Sequence, residues 1–241
     1  MAPRPRVLHH TVIRRALQKA TRDRLVPHNV AADLEGRPNR DGSRSSEDAR
    51  TDCWSGAEAR QFLDEAKKAG TQAAAFFALA LDSGARKGEL CGLAWTELDL
   101  EAGKVHVVRQ LRKPGEAPTF GPPKGKRPRT ITVSADTVAL LRAHRQAQRE
   151  LHMKHRSSYQ DFGLVFAKEW GELHTRKDHL GHPLQANNLG ARWFDPISKA
   201  AGVKRIKLHG TRHTSATLLL LANVPVHVVS QRLGDRDTTT T

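Results

Sequence analysis

The chain has 241 residues, of which 38% are hydrophobic, and it carries 40 Lys and Arg against 25 Asp and Glu. This length and apolar content suffice for one substantial domain with a buried core and a smaller additional piece. The formal net charge of +15 favours a polyanionic partner, with nucleic acid before an anionic membrane. No apolar run is long enough for a transmembrane helix, and the first ten residues lack the apolar core of a secretory signal. Two cysteines give no disulfide framework, so we expect a protein of the reducing cytoplasm.

The N-terminal part divides into a basic helix and a polar linker. Residues 1–32 contain seven Lys and Arg and a single acid. Apolar residues recur within them at helical spacing, which predicts one amphipathic helix: Val12, Ile13, Ala16, Leu17 and Ala20. Residues 33–54 are mostly polar and nearly free of large apolar side chains, which predicts a linker or a disordered segment.

From residue 55 onward the pattern becomes that of a folded domain. Ser55 and Glu58 have the spacing of a capping box, which predicts the start of a helix. The segment AAAFFALALDSG is apolar on most sides and predicts a central helix that ends at Gly84. The segment GARKGELCGLAW then predicts a third helix.

The remaining segments predict one small sheet and four more helices. Residues 104–111 and 129–133 read as strands, joined by a Pro- and Gly-rich hairpin-like excursion. Residues 168–185 have no clear period and predict an exposed loop. The helices are predicted at about 134–153, 187–201, 208–222 and 225–233. The predicted fold class is therefore mixed α+β, mostly helical, with a small antiparallel sheet.

Several basic residues have the chemistry needed at a DNA phosphate. In a phosphodiester transesterification the two non-bridging oxygens gain negative charge, and the planar fork of an arginine stabilises such charge by paired hydrogen bonds. Arg86 and Arg212 are candidates for this role, and His209 is a candidate donor or proton carrier. Lys124, on the hairpin, has the chemistry to protonate a leaving oxygen, although Lys126 competes for the same position.

The order of these residues resembles the tyrosine recombinase (phage integrase) family. The family's G-x-R-x-x-E-L turn corresponds to GARKGEL around Arg86, and its H-x-x-R motif corresponds to His209-Gly-Thr-Arg212. The family's hairpin lysine corresponds to Lys124 or Lys126. The resemblance covers residues 55–241, which implies that family's catalytic-domain fold. More loosely, residues 1–32 resemble the last helix of the family's N-terminal DNA-binding core domain.

The resemblance also implies a reaction and its partners. In intact relatives a tyrosine attacks the scissile phosphate of double-stranded DNA and forms a 3′-phosphotyrosyl link. Arg86, His209 and Arg212 would then hold the phosphoryl oxygens, and Lys124 would protonate the leaving 5′ oxygen. The implied reaction needs no metal, nucleotide cofactor, small-molecule substrate or membrane. Further recombinase protomers are expected as partners in a synaptic complex.

Three departures from the family pattern shape the functional expectation. Asp235 stands where the family has a third histidine or tryptophan, and a carboxylate there would repel a phosphate. The family's nucleophilic tyrosine is expected beyond Thr241. Most of the family's N-terminal DNA-clamping domain has no counterpart in the sequence. We therefore expect a fragment, truncated at both ends and catalytically incomplete.

Alternative hypotheses follow from the same residues. The chain would then be a non-catalytic DNA-binding protein, or a nucleic-acid-binding protein unrelated to recombination, for which VPVHVVSQRLG offers a helix-turn-helix-like segment. Tyr159, the single tyrosine, is a disfavoured nucleophile because its surroundings suggest packing. His174, His179 and His182 form a weak candidate metal site. Gly210 rules out the zinc-protease pattern at His209, and GPPKGK departs from a P-loop.

Overall fold

The structure, a computed structural model, describes residues 3–32, 53–123, 125, 127–169 and 179–234. The chain divides into two compact units, residues 1–51 and residues 52–241. Within the described residues no helix combines the length and the hydropathy that a bilayer crossing requires.

The described part of the first unit contains one long helix, as its apolar spacing predicted. Helix α1 spans Pro3–Arg22. The chain then turns back along α1, as shown by the Asn29 side-chain amide, which donates to the Arg14 carbonyl at 2.9 Å. The His10 ring lies 3.1 Å from the carbonyl oxygen of Ala31, whose side chain is buried.

Within the described residues, the second unit contains seven helices. They are α2 Gly56–Lys68, α3 Thr71–Ser83, α4 Lys87–Gly92, α5 Ala135–Lys154, α6 Asp195–Ala200, α7 Gly210–Leu221 and α8 Val226–Leu233. A 3₁₀ turn, Trp95–Glu97, follows α4, and a π-helical turn, Gly190–Phe194, leads into α6. The predicted helix over 187–201 therefore has a wider first turn than expected.

Local signals explain where these helices begin and end. The predicted capping box is confirmed: the Ser55 hydroxyl accepts from the Glu58 amide at 3.2 Å, and the Glu58 carboxylate accepts from the Ser55 amide at 2.8 Å. The Ser134 hydroxyl caps α5 in a similar way. Gly84 ends α3 in the left-handed conformation, with φ of 61°, as expected of a glycine in that place.

In the part of the chain that the structure describes, five short strands form two antiparallel sheets. They are β1 Leu98–Asp99, β2 Lys104–Val107, β3 Gln110–Lys113, β4 Thr119–Gly121 and β5 Arg129–Thr132. The first sheet has the order β1-β2-β5, with Val105 opposite Ile131. The second is the β3-β4 hairpin, with Leu111 opposite Phe120.

The single strand predicted over residues 104–111 is wrong, since it is two strands in different sheets. The ladder breaks where the Arg109 guanidinium turns to the Glu97 carboxylate at 3.0 Å and lies over the Phe120 ring. The chain then passes close to α4, where a Cβ on Gly92 would lie 2.6 Å from the Leu111 amide nitrogen. The contact lies within β3, and the excursion before β5 contains β4.

An aromatic core surrounds α3, which is apolar on most sides as predicted. The Phe62 and Phe77 rings meet edge to face at 5.0 Å, and Phe76 packs on Phe166 in the same way. Gln72 is a buried polar residue on α3, and its side-chain amide donates to the Ala167 carbonyl at 2.7 Å. Because α3 is covered on several sides, the loop that follows it at Gly84 has a rigid support.

His144 on α5 makes the core sensitive to acid. Its ring is fully buried, stacks on Phe166 at 5.6 Å and lies 2.7 Å from the Val165 carbonyl oxygen. Burial lowers the pKa of His144 to about 4, against the opposing effect of the Val165 hydrogen bond. The unfolded chain therefore binds a proton on this histidine at a higher pH than the folded protein does.

We predict that the His144 contribution to stability is complete above pH ~6.5 and is lost as the pH falls towards ~4, by an amount on the order of 3 kcal/mol. The difference in unfolding free energy between wild type and His144→Gln should therefore shrink over that interval, as measured by urea denaturation. The exposed Gln146→Asn variant, which removes no titratable group, is the control, and its difference should stay constant. A pH-independent difference for His144→Gln would contradict the prediction.

Candidate functional site

A cleft of about 710 Å³ lies where α4, the β3 strand, the 185–190 segment and the start of α7 meet. The structure brings Arg86, His209 and Arg212 to this cleft, although they come from distant parts of the sequence. Lys87, Arg112 and Lys207 also line it. Among the described residues that line the cleft there are several cations and no carboxylate, so its electrostatic potential favours an anion.

Arg86 is fixed by the turn that starts α4. Its backbone amide donates to Glu89 Oε2 at 2.8 Å, which closes the first turn of the helix. Its guanidinium Nη1 lies 3.4 Å from Glu89 Oε1 and 3.5 Å from the Leu233 carbonyl oxygen. The side chain is 20% exposed, so it is held by the protein but still faces the cleft.

Arg212 is more deeply placed, in the first turn of α7. Its side chain donates from Nη1 to the Gly84 carbonyl at 2.8 Å and from Nη2 to the Leu233 carbonyl at 2.9 Å. The residue is only 5% exposed. Arg86 and Arg212 thus donate to the same carbonyl oxygen, at the C-terminal end of α8, where the helix dipole favours positive charge.

His209 directly precedes α7 and is exposed at the edge of the cleft. Its ring packs edge to face against the ring of His213, with centroids 5.0 Å apart. The positive end of the α7 dipole lies beside it, which adds to the attraction for an anion. The position allows the imidazole to reach a group bound in the cleft.

Three predicted positions, Lys124, Lys126 and Asp235, lie outside the described residues. Pro122, two positions before Lys124, is held at the β3 strand, because its carbonyl accepts from the side chains of Gln110 at 2.7 Å and Arg112 at 3.1 Å. Both of these donors line the cleft. The candidate metal residue His174 also lies outside the described residues.

Tyr159 does not line the cleft. It follows α5, and its ring stacks on that of His152 with centroids 4.5 Å apart. Burial, together with the negative charges of Asp161 and Glu169, raises the pKa of Tyr159 above its usual range. A phenol in these surroundings is a poor source of a nucleophilic phenolate.

Glu89 and Arg129 form a buried ion pair beside the cleft, and neither received a role from the sequence. Arg129 Nη1 and Nη2 donate to the two Glu89 carboxylate oxygens at 3.1 and 2.7 Å. Burial by itself raises the pKa of Glu89, but the hydrogen bonds and charge of Arg129 outweigh burial and hold it below its usual value. Side chains alternate between the two faces of β5, which places Arg129 on the same face as the buried Ile131. This alternation is the sequence signal that could have indicated an inward-facing Arg129.

Comparisons with known sequences agree with the motifs. Residues 55–241 match the phage integrase family. The chain is 34% identical over 185 residues to the tyrosine recombinase XerC-like protein of Caldanaerobacter subterraneus subsp. tengcongensis, and 34% identical over 169 residues to the prophage integrase IntR of Escherichia coli K12. These alignments cover 71% and 64% of this chain but 44% and 38% of the relatives, so the chain spans less than half their length. The chain belongs to the phage integrase family, as Arg86 and the His209–Arg212 motif predicted.

Solved structures show the same fold at low sequence identity. The Tn1549 transposon integrase in complex with circular intermediate DNA superposes with a TM-score of 0.66 at 21% identity, over 94% of this chain and 70% of that one. A lambda integrase dimer bound to a COC′ core site gives 0.56 at 15% identity, over 97% and 72% of the two chains. The predicted fold class is confirmed: a mostly helical recombinase catalytic fold with small antiparallel sheets.

We predict that Gly84→Ala destabilises the protein by roughly 3 kcal/mol, because the new methyl group strains a left-handed residue and also meets the Leu233 side chain and the Ser215 hydroxyl. The matched control is Gly202→Ala, since Gly202 has φ of 64° and open space around its Cβ. The control should cost only about 1 kcal/mol. Urea denaturation measures both, and equal losses would show that the contact with Leu233 is unimportant.

Proposed function

We propose that this chain binds double-stranded DNA as the catalytic-domain part of a tyrosine-type site-specific recombinase. The observation that carries the proposal is that Arg86 and Arg212, which both line a cleft rich in cations, also donate to one carbonyl, that of Leu233. Two planar donors held at one point match the oxygens of a phosphodiester. Membership of the phage integrase family supports the same substrate class.

The arginines would act by pre-organised electrostatic stabilisation. Each guanidinium is already oriented by protein acceptors, so little rotamer entropy is lost when a phosphate enters the cleft. As negative charge grows on the non-bridging oxygens, fixed cations stabilise the transition state more than the ground state. His209, at the edge of the cleft, would donate a further hydrogen bond to the phosphoryl group.

The roles of the residues outside the described ranges are also part of the proposal. Lys124, or Lys126 beside it, would protonate the leaving 5′ oxygen. Asp235 would occupy the third phosphate-facing position and weaken phosphate binding there. Residues 1–32 would contribute a helix of an N-terminal DNA-binding domain, joined by a linker over residues 33–54. Other recombinase protomers would be partners at the recombination site, in the cytoplasm.

A second candidate function is DNA binding without cleavage by these 241 residues. The position of Tyr159 favours it, because the single tyrosine lies outside the cleft that holds the arginine pair. In this case the arginines would grip a phosphate that no group of the chain attacks.

We expect Arg86→Gln to weaken binding to duplex DNA about tenfold and to reduce the slope of log affinity against log salt by about 0.9, because one phosphate contact is lost. Selection from a randomised duplex pool would first give the preferred sequence, and fluorescence anisotropy at several salt concentrations would give the slopes. Arg142→Gln, which removes an exposed arginine on α5, is the control and should leave the affinity for the selected duplex unchanged. Equal losses of affinity for the two variants would show that DNA binding depends on general charge and not on Arg86 in particular.

We further expect wild type and Tyr159→Phe to behave alike on the selected duplex carrying a nick. Neither should give a protein–DNA complex that survives SDS, because the Tyr159 phenol lies outside the cleft and its raised pKa disfavours the phenolate. Denaturing gels with end-labelled DNA provide the measurement. A covalent complex that disappears in Tyr159→Phe would identify Tyr159 as the nucleophile and overturn this expectation.

A further inference from the structure

Arg129 is buried at the start of β5 and uses three of its nitrogens on internal acceptors. Its side chain is 8% exposed and that of its partner, Glu89, is 1% exposed. Besides its two bonds to Glu89, Arg129 donates from Nε to the Arg232 carbonyl at 2.8 Å. A guanidinium enclosed in this way links β5 to α4 and to the end of α8.

The Glu89 carboxylate is shared between Arg129 and Arg86. Oε1 accepts from Nη1 of both arginines, at 3.1 Å for Arg129 and 3.4 Å for Arg86. Oε2 accepts from the Arg86 backbone amide at 2.8 Å and from Arg129 Nη2 at 2.7 Å. Loss of Arg129 would leave a buried carboxylate with too little positive charge around it, and burial would then favour its neutral form. A neutral Glu89 would hold Arg86 less firmly.

Arg129 also binds the end of α8, next to the carbonyl that accepts from the cleft arginines. The Arg232 carbonyl, which it binds, is adjacent in the chain to the Leu233 carbonyl that receives Arg86 and Arg212. At the next residue, a Cβ on Gly234 would lie 3.1 Å from Arg129 Nη1, so the end of α8 packs directly on the guanidinium. One side chain therefore contacts both Glu89, which holds Arg86, and the end of α8, whose last carbonyl accepts from Arg86 and Arg212.

We infer that Arg129 is a positioning residue that holds Glu89 and the end of α8 in register, so that Arg86 and Arg212 face a DNA phosphate together. The inference rests on the proposed function, since it concerns the same cleft. The role of Arg129 differs from a purely structural one because its effect on DNA binding depends on Arg86.

A double-mutant cycle between Arg129→Lys and Arg86→Gln tests this coupling. Lysine keeps the charge, but its single ammonium group lacks the fork that binds both carboxylate oxygens and the Arg232 carbonyl. On the selected duplex, Arg129→Lys should weaken binding about fivefold in the wild-type background and less than twofold beside Arg86→Gln, because coupled residues are not additive. Arg142→Gln is the matched control, since it breaks an exposed Arg–Glu pair of the same 2.7 Å length.

Each outcome of the cycle decides the matter. Additive losses would show that Arg129 is an independent DNA contact. Unchanged binding with a lower melting temperature would show that its role is structural. Either result would overturn the inference about Arg129 and leave the proposed role of the arginine pair intact. Unchanged binding in Arg86→Gln would overturn the proposed role of the arginine pair and this inference with it. If Arg129→Lys does not fold, Gly234→Ala replaces it in the cycle, because its methyl group presses on Arg129 from α8, and the same non-additivity is expected.

Discussion

The arrangement of the cleft depends on the carbonyl oxygen of Leu233. It accepts hydrogen bonds from Arg86, at the start of α4, and from Arg212, in the first turn of α7. A helix C-terminus carries partial negative charge on carbonyls that have no partner within the helix, so it is a natural acceptor for cations. The last turn of α8 therefore serves as a fixed point against which two distant arginines are aligned.

The end of α3 provides the second fixed point of the site. Asp82 accepts from the Ser134 amide at 2.7 Å at the start of α5, and from Arg232 Nη2 at 3.2 Å on α8. Gly84 follows in the left-handed conformation, and its carbonyl accepts from Arg212. Because α3 is enclosed by the aromatic core, the carboxylate and the carbonyl are held in place while the surface of the cleft remains open to an anion.

Much of the fold was predictable because its signals are short-range. The capping box at Ser55 and the left-handed Gly84 act within a single helical turn, and the apolar character of α3 indicated a central helix before any packing was known. The strand over residues 104–111 was mispredicted because apolar residues occur on both sides of the break, at Val107, Val108 and Leu111, and no Gly or Pro marks it. Beside that break the chain approaches Gly92, a contact between distant residues that no local pattern records.

The sequence by itself determined the fold class, the family and the candidacy of Arg86, His209 and Arg212, because motif spacing and side-chain chemistry can be read along the chain. Only the tertiary structure decided that Arg86 and Arg212 share one acceptor, that Tyr159 lies away from them, and that Arg129 joins Glu89 to the end of α8. Hydrogen bonds between β5, α4 and α8 arise from how the elements pack, and a guanidinium has the same sequence signature whether it faces solvent or a buried carboxylate.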